Sequence, residues 1–390
     1  MTFYDPTPDI TVPVALLGDD YPGLRIRLDV AQGDDVAAGQ PLFHDAIRPA
    51  IAFVSPIQGR VAEVRYGPRR MLAAMVLDPV ETGPAAPSDR LTDDSALRAY
   101  LLARGAWPAF IARPFGGSPD PDAQPDAIIV SALSSSPMGF APREVLVGRE
   151  AEFARGLNAL TFLTDGPVHL CVEHGTIISN PDLTRIRVHS HRATKSWRTA
   201  SGQTALVHPT GSNGQVWTIG LQDVLAIGHL LETGLYDPIR TITVPQPGTR
   251  SAVTRRVALG AKIRPLLPDA LKSGPNEQVI SGTEQHGRRA AYLGRHHDVV
   301  GTTRVKKQPP WSVPLPLVPF AGLNSVLPAR VPAVPLMRAL SIGDTQTCLK
   351  LGCLELLEED VAPLSALCTS GTDYGQCLRN VLDQLRKDAA

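Results

Sequence analysis

No two glycines in this chain are separated by a single residue, so the G-x-G turn that brings a backbone against a pyrophosphate is absent. No glycine directly precedes a lysine, which removes the P-loop. There is no G-x-S-x-G elbow and no H-E-x-x-H pair. Dinucleotide and nucleotide chemistry thereby lose their usual backbone devices. No run of about 18 apolar residues occurs, so no membrane-spanning helix is expected. The nearest, VPLPLVPF at 313–320, is short and broken by prolines. The opening MTFYDPTPDI has neither a basic nor an apolar region, and no signal peptide is expected. Neither sign of charge is in excess: Lys+Arg and Asp+Glu are 38 each. Bulk charge gives no argument for nucleic-acid binding. The five cysteines, four of them after residue 347, do not form the pattern of a secreted disulfide framework. A cytoplasmic protein is expected.

Lysine is scarce, and the first is Lys195. This matters for RLDVAQGDDVAAGQPLFHDAIRPAIAFVSPIQGRVAEVRYG (27–67), which has the cadence of a lipoyl or biotin carrier domain. Such a domain swings its cofactor on a lysine amine. Here Arg48 stands near the hairpin where that lysine is expected, and a guanidinium cannot be acylated in that way. The segment is read as scaffold, without an arm.

At 390 residues with 43% hydrophobic content, two to four folded domains are expected. Residues 1–90 read as short strands with tight turns, a lipoyl-like β-domain. Residues 91–248 alternate helix and strand. TDDSALRAYLLARG offers caps at Thr92 and Asp93 and apolar Leu97 and Leu101; AIIVSAL (127–133) is a buried-strand run. REAEFARGLNALTFLTDG (149–166) places Phe153, Leu157 and Leu160 on one helical face. PVHLCVE, QVWTIG, LQDVLAIGHLLETG and IRTITV complete the series, and a mostly parallel, Rossmann-like α/β layer is predicted. Residues 249–305 return to short β-like pieces, a small α+β unit of β-grasp-like type. Residues 306–335 are Pro-rich and read as extended linker. Residues 336–390 are helical, with Leu378, Val381, Leu382 and Leu385 forming one buried stripe.

Several clusters invite a chemical reading. Cys348, Cys353, Cys368 and Cys377 have C-x4-C…C-x8-C spacing, without the tight C-x2-C knuckle that zinc and iron–sulfur sites favour. Buried small hydrophobes are expected there. His296, His297 and Asp298 are consecutive, which turns the two imidazoles apart on a strand, so a loop or surface pair is expected. His189 and His191 share a strand face but show no third ligand. Glu355, Glu358, Glu359 and Asp360 in ELLEED read as a solvated helix face. ARPFGG (112–117) sets Arg113 and Phe115 beside two glycines, a candidate quinone or partner contact or equally a turn. No nucleophile–base–orienter set assembles.

The blocks VALLGDDYPGLRIRLDVAQGDDVAAGQPLF, VSPIQGRVAEVRYGPRR, IARPFGGSPDP, FARGLNALTFLTDGPVHLCV, VWTIGLQDVLAIGHLLETG, ISGTEQHGRRAAYLGRHHD and PLMRALSIGDTQTCLKLGCLELLEEDVAPLSALCTSGTDYG occur in order. This order resembles the A subunit of the sodium-translocating NADH:quinone oxidoreductase over nearly the whole chain. IGDT…LGCLELLEED and QDVLAIG are the most specific blocks. The Rnf complex C subunit is a poorer likeness, since its C-x2-C-x2-C-x3-C-P runs are absent. The resemblance implies an α/β and α+β multidomain fold like the flavin-bearing subunit of complex I with its cofactor sites lost. It implies a subunit with no cofactor of its own, with ubiquinone as a substrate of the whole complex. Integral-membrane redox subunits are the implied partners, at the cytoplasmic side of the inner membrane. The chain departs from the family pattern in several loops. The family's G-T-H-I-H block stands as SGQTALVH (201–208), and its D-T-N-P-L block as SSSPM (134–138), with Ser134 and Ser136 in place of an acid and an amide. Of L-C-x-x-x-C-P-G-K only Cys368 remains. The chain is also shorter than the family pattern. These departures keep open a paralogue that serves another respiratory or photosynthetic complex in assembly or binding. The third reading is a metal-binding redox protein using the late cysteines.

Overall fold

A computed structural model describes residues 3–4, 7–134, 136–176, 184–194, 196–209, 214–247, 251–272, 277–283, 287–304, 321–328, 330–368 and 370–389. The first eighty residues build two antiparallel sheets. One orders Val14–Leu17, Leu72–Pro79, Gly59–Tyr66 and Asp35–Val36; the other orders Ile26–Leu28, Pro41–Asp45 and Ala52–Val54. Alternation along Gly59–Tyr66 turns Gly59 and Val61 inward and Arg60 outward, and a register shift between Val61 and Glu63 then leaves Glu63 exposed. Between the sheets Phe43 stacks on Phe53 at 4.8 Å and Tyr21 meets Phe53 edge-on at 4.8 Å. This is a barrel-sandwich, as the turn-rich sequence implied.

The α/β layer is a five-stranded sheet ordered Ile186–His191, Val168–Glu173, Ala127–Ser131, Val216–Gly220 and Ile111–Arg113. All neighbours are parallel except the last, Ile111–Arg113, which runs antiparallel. Helices Glu150–Thr161 and Leu221–Thr233 pack against each other, with Phe153, Leu157 and Leu160 buried as their spacing predicted. The two backbones approach so closely at Gly228 that a Cβ there would lie 1.8 Å from the Glu152 carbonyl oxygen.

IRTITV does not close this sheet. Ile239–Pro245 instead pairs antiparallel with Ala252–Ala258, and Phe3–Tyr4 adds in parallel. After the helix, Gly234 turns with φ of +76°, and the strand's backbone finds its partner in the next segment. A second small sheet, Arg288–Arg289, Glu277–Ser281 and Val300–Arg304, lies in the same unit. Ile242, Val257, Ile263, Leu266, Leu293 and Val300 form its core.

The C-terminal unit contains helices Ala333–Ile342, Thr345–Lys350, Glu358–Leu367 and Tyr374–Ala389. Leu378, Val381, Leu382 and Leu385 are all buried. The extended character expected over 306–335 does not reach its end. Residues 305–320 lie outside the described residues, Ala321–Val326 is a 3-10 helix, and Leu323, Leu327 and Val331 join the helical core. Apolar spacing hidden among prolines is enough to recruit them. Leu382 has no exposed surface, and Leu382→Ala is expected to cost about 2–5 kcal/mol by cavity creation. Urea denaturation of the full chain measures this. A loss within the range of a surface substitution would contradict the packing.

Candidate functional site at a domain junction

The loop Ala112–Ser118 joins three units. Ala112 N donates to the Gly117 carbonyl at 2.9 Å and Gly116 N to the Ala112 carbonyl at 2.7 Å. Gly116 and Gly117 both adopt positive φ, +74° and +79°, so this turn favours glycine at both places. The Arg113–Pro114 peptide is cis.

The loop turns its carbonyls toward arginines of the other units. Arg379 Nη1 donates to Phe115 O at 2.9 Å, and Arg386 Nη2 donates to the same oxygen at 2.8 Å and to Gly116 O at 3.2 Å. The Arg386 guanidinium also lies 5.5 Å from the Phe115 ring centre. Burial, with Arg379 beside it, lowers the proton affinity of Arg386. From the β-domain, Arg48 Nη1 donates to Ser118 O at 2.6 Å while its Nε holds Asp45 Oδ2 at 2.8 Å. The residue standing where a carrier lysine is expected is therefore a tie between domains. Trp107 Nε1 donates to Pro119 O at 3.0 Å and anchors the far end of the loop.

Arg113 itself is buried. Its Nη1 donates to Ser201 Oγ at 2.7 Å and to the Glu355 carbonyl at 3.3 Å. Ser201 Oγ in turn donates to Asp360 Oδ2, which also accepts from Leu357 N at 2.8 Å. Asp360 thus stabilises the start of helix Glu358–Leu367 and meets the α/β layer through one hydroxyl. Glu359 Oε1 lies 3.9 Å from Arg113 Nη2, and Arg113 Nε and Nη2 have no hydrogen-bond partner. Glu358 takes both Nε and Nη2 of Arg379. Within ELLEED, only Glu359 fits the solvated face the sequence implied; Asp360 is buried and Glu358 is paired. Helical spacing located the face but could not show that a second domain covers it.

A second ionic knot ties the α/β layer to the small β-unit. Asp223 Oδ1 accepts from Arg240 Nη2 at 2.7 Å and Arg295 Nη2 at 2.9 Å. All three residues are buried. Beside it Arg288 pairs with Asp20 of the β-domain.

Helix Ala200–Val207 packs against strand Ala127–Ser131, whose carboxyl end is where open α/β sheets usually take ligands. Gln203, fully buried on helix Ala200–Val207, donates to Ser131 Oγ at 2.9 Å and to the Trp197 carbonyl at 2.8 Å. Arg198 Nη1 donates to the carbonyls of Ser134 and Ser136 at 3.2 and 3.3 Å.

Cys348 and Cys353 are buried in the helical core, and burial pushes their thiols up to about 11 and about 12. Burial likewise raises Cys377. At Cys368 burial acts upward too, but hydrogen bonds from Ser370 and Tyr374 outweigh it and lower the thiol. Sγ lies 3.0 Å from Ser370 Oγ and 3.6 Å from the Tyr374 hydroxyl. Among the described residues no three His, Cys, Asp or Glu side chains are grouped to hold a metal. His296 is exposed, and His297 Nδ1 lies 2.8 Å from Ser281 Oγ.

His189 and His191 do share a strand face. His189 Nε2 meets His169 Nδ1 at 2.8 Å, and His191 lies on Trp197 at 4.5 Å. His169 carried no sequence signal, because its contact depends on the register of two parallel strands. Burial, with His189 and His208 adding to it, lowers His169 to about 4. Its folded value lies below the ordinary value near 6.5, so the unfolded chain takes up a proton first. His169 stabilisation is therefore full above about pH 6.5 and is lost as pH falls toward 4, by on the order of 1–2 kcal/mol after solvent screening. Denaturation of wild type and His169→Phe at pH 7 and pH 5 measures the difference. The gap between the two pH values should shrink in the variant; an unchanged gap would contradict the assignment.

Among the described residues no helix is long and apolar enough to cross a membrane. The fold and the junction define a mixed α/β multidomain protein with an N-terminal barrel-sandwich, held together by arginine ties. Residues 6–79 match the family described as NqrA N-terminal barrel-sandwich hybrid domain, and residues 92–236 match NqrA second alpha/beta domain. The A subunit of the Na(+)-translocating NADH-quinone reductase of Neisseria meningitidis is 32% identical, with 96% of this chain and 94% of that protein covered. The corresponding proteins of Yersinia pestis and Klebsiella pneumoniae are 30% and 31% identical over the same shares. The chain belongs to the family of Na(+)-translocating NADH-quinone reductase A subunits. The NAD+-reducing NiFe-hydrogenase is a loose structural neighbour, with TM-score 0.40 and 11% identity over 76% of this chain and 61% of that one.

Proposed function

We propose that this chain is the A subunit of a sodium-translocating NADH:quinone oxidoreductase, a peripheral docking subunit with no cofactor of its own. The observation that carries this reading is 32% identity across nearly the full length of both proteins. The missing G-x-G turn supports the cofactor-free part of it, and so does Gln203, whose amide donates to the Ser131 hydroxyl at the carboxyl end of a central strand. Its partners are integral-membrane redox subunits, and it lies at the cytoplasmic side of the inner membrane through them. Ubiquinone is a substrate of the complex, and the Arg113–Phe115 loop forms part of the wall of a quinone or partner site. In this reading the finer architecture follows the flavin-bearing subunit of complex I: a lipoyl-like first domain to about residue 90, a Rossmann-like second, a β-grasp-like third and a helical end. Absorbance spectroscopy and metal analysis of the purified full chain test the cofactor-free reading. A spectrum without flavin bands and metal below stoichiometry is expected. A stoichiometric flavin or iron–sulfur signal would overturn it.

A further inference from the structure

Strand Ile186–His191 is the outer member of the five-stranded sheet. It pairs with Val168–Glu173 on one side, and among the described residues no strand lies on the other. Val168 N donates to the Arg185 carbonyl at 3.0 Å, and His174 N to the His191 carbonyl at 2.8 Å. In a parallel ladder of that register the odd-numbered residues turn their peptide groups inward. Ile186, Val188 and Ser190 therefore present theirs to the outside. Val188 is 50% exposed, and Arg187 and Ser190 are exposed.

The side chains along this edge carry one sign. From Arg185 to Arg192 there are three arginines, two histidines and no carboxylate. Arg185 donates to carbonyls of Thr161, Thr164 and Gly166, which leaves its charge uncompensated. The guanidinium groups of Arg187 and Arg192 make no hydrogen bond and no ion pair with a described residue. Glu173 on the neighbouring strand is already held by Arg198 at 3.7 Å.

We propose that this edge receives an extended acidic segment of another polypeptide as a sixth strand. The outward peptide groups supply ladder hydrogen bonds, and the arginines select carboxylate-bearing side chains. A second copy of this chain is disfavoured, because self-pairing would set the basic strand against itself. The proposal does not depend on which membrane complex the chain serves.

Fluorescence anisotropy with the full chain tests it, using a labelled short peptide of alternating glutamate and threonine. Its lysine–threonine counterpart and a backbone N-methylated version are the controls. The acidic peptide alone should bind. Arg187→Glu combined with Arg192→Glu should weaken it by about tenfold or more. Val188→Pro should also abolish binding while leaving the melting temperature unchanged, since the N–H it removes points away from the sheet's own ladder. If that variant proves destabilised, the N-methylated peptide decides the same point on unaltered protein. Equal binding of the N-methylated peptide would overturn strand addition. So would no peptide binding together with arginine-dependent capture on phosphatidylserine vesicles, which would make the edge a lipid contact. No binding to any probe would also overturn the proposal.

Discussion

Asp223→Ala is expected to destabilise the protein by about 3–5 kcal/mol, because it strands two buried guanidinia at once. Asp223 Oδ1 is shared by Arg240 and Arg295, whose side chains are 5% and 3% exposed. Among the described residues, Arg295 keeps the Tyr236 hydroxyl at 3.3 Å, and Arg240 keeps carbonyls near its own position, with the nearest other carboxylate, Asp237, already paired with Arg149. A carbonyl or hydroxyl can accept a hydrogen bond but cannot balance a charge removed from water. Asp223→Asn retains an acceptor and should fall between wild type and alanine. Thermal and urea unfolding measure both. A loss below about 1 kcal/mol would mean that the knot is hydrated, as exposed ion pairs are.

Asp360→Ala should have a comparable effect, about 3 kcal/mol, with a distinct signature. It removes the acceptor of both Ser201 Oγ and Leu357 N, and leaves buried Arg113 with the neutral Ser201 hydroxyl, the Glu355 carbonyl and, at 3.9 Å, the exposed Glu359 carboxylate. The loss falls on the join between the α/β layer and the helical unit. Proteolysis should then reach the C-terminal helices earlier than the β-domain. Arg113→Met with Asp360→Leu removes both charges and should recover more than half of the loss. If Asp360→Ala melts as wild type and is cleaved at the same rate, Asp360 does not hold the units together.

The contrast between these two aspartates and the C-terminal helix shows what a sequence can carry. The stripe Leu378, Val381, Leu382 and Leu385 is written at helical period within one element, so its burial follows from spacing alone. The barrel-sandwich is legible for a similar reason, since its turns and alternating strands are local. Asp223 sits in the legible helix LQDVLAIGHLLETG, yet Arg295 lies 72 residues further on and no periodicity links them. Asp360 reads as solvent-facing because a helix's own pattern does not show what packs on its polar side. IRTITV reads correctly as a strand, but which sheet it joins is decided by partner backbone from Ala252–Ala258. ARPFGG is visible as an unusual cluster of arginine, aromatic and glycine. That its carbonyls collect Arg48, Arg379 and Arg386 depends on the folded arrangement.

The same logic accounts for Arg48. The carrier-domain cadence implies a lysine near this hairpin, and the guanidinium that stands there links Asp45 to the Ser118 carbonyl. A β-domain fastened in this way is a fixed support for the rest of the chain. That is the property expected of a docking subunit.

The most direct measurement is affinity purification of the tagged full chain from detergent-solubilised membranes, with its partners identified by mass spectrometry and in-gel flavin fluorescence. The account predicts co-purification with the flavin-carrying membrane subunits of the sodium-translocating NADH:quinone oxidoreductase. Recovery with a different membrane redox complex, without those subunits, would contradict it.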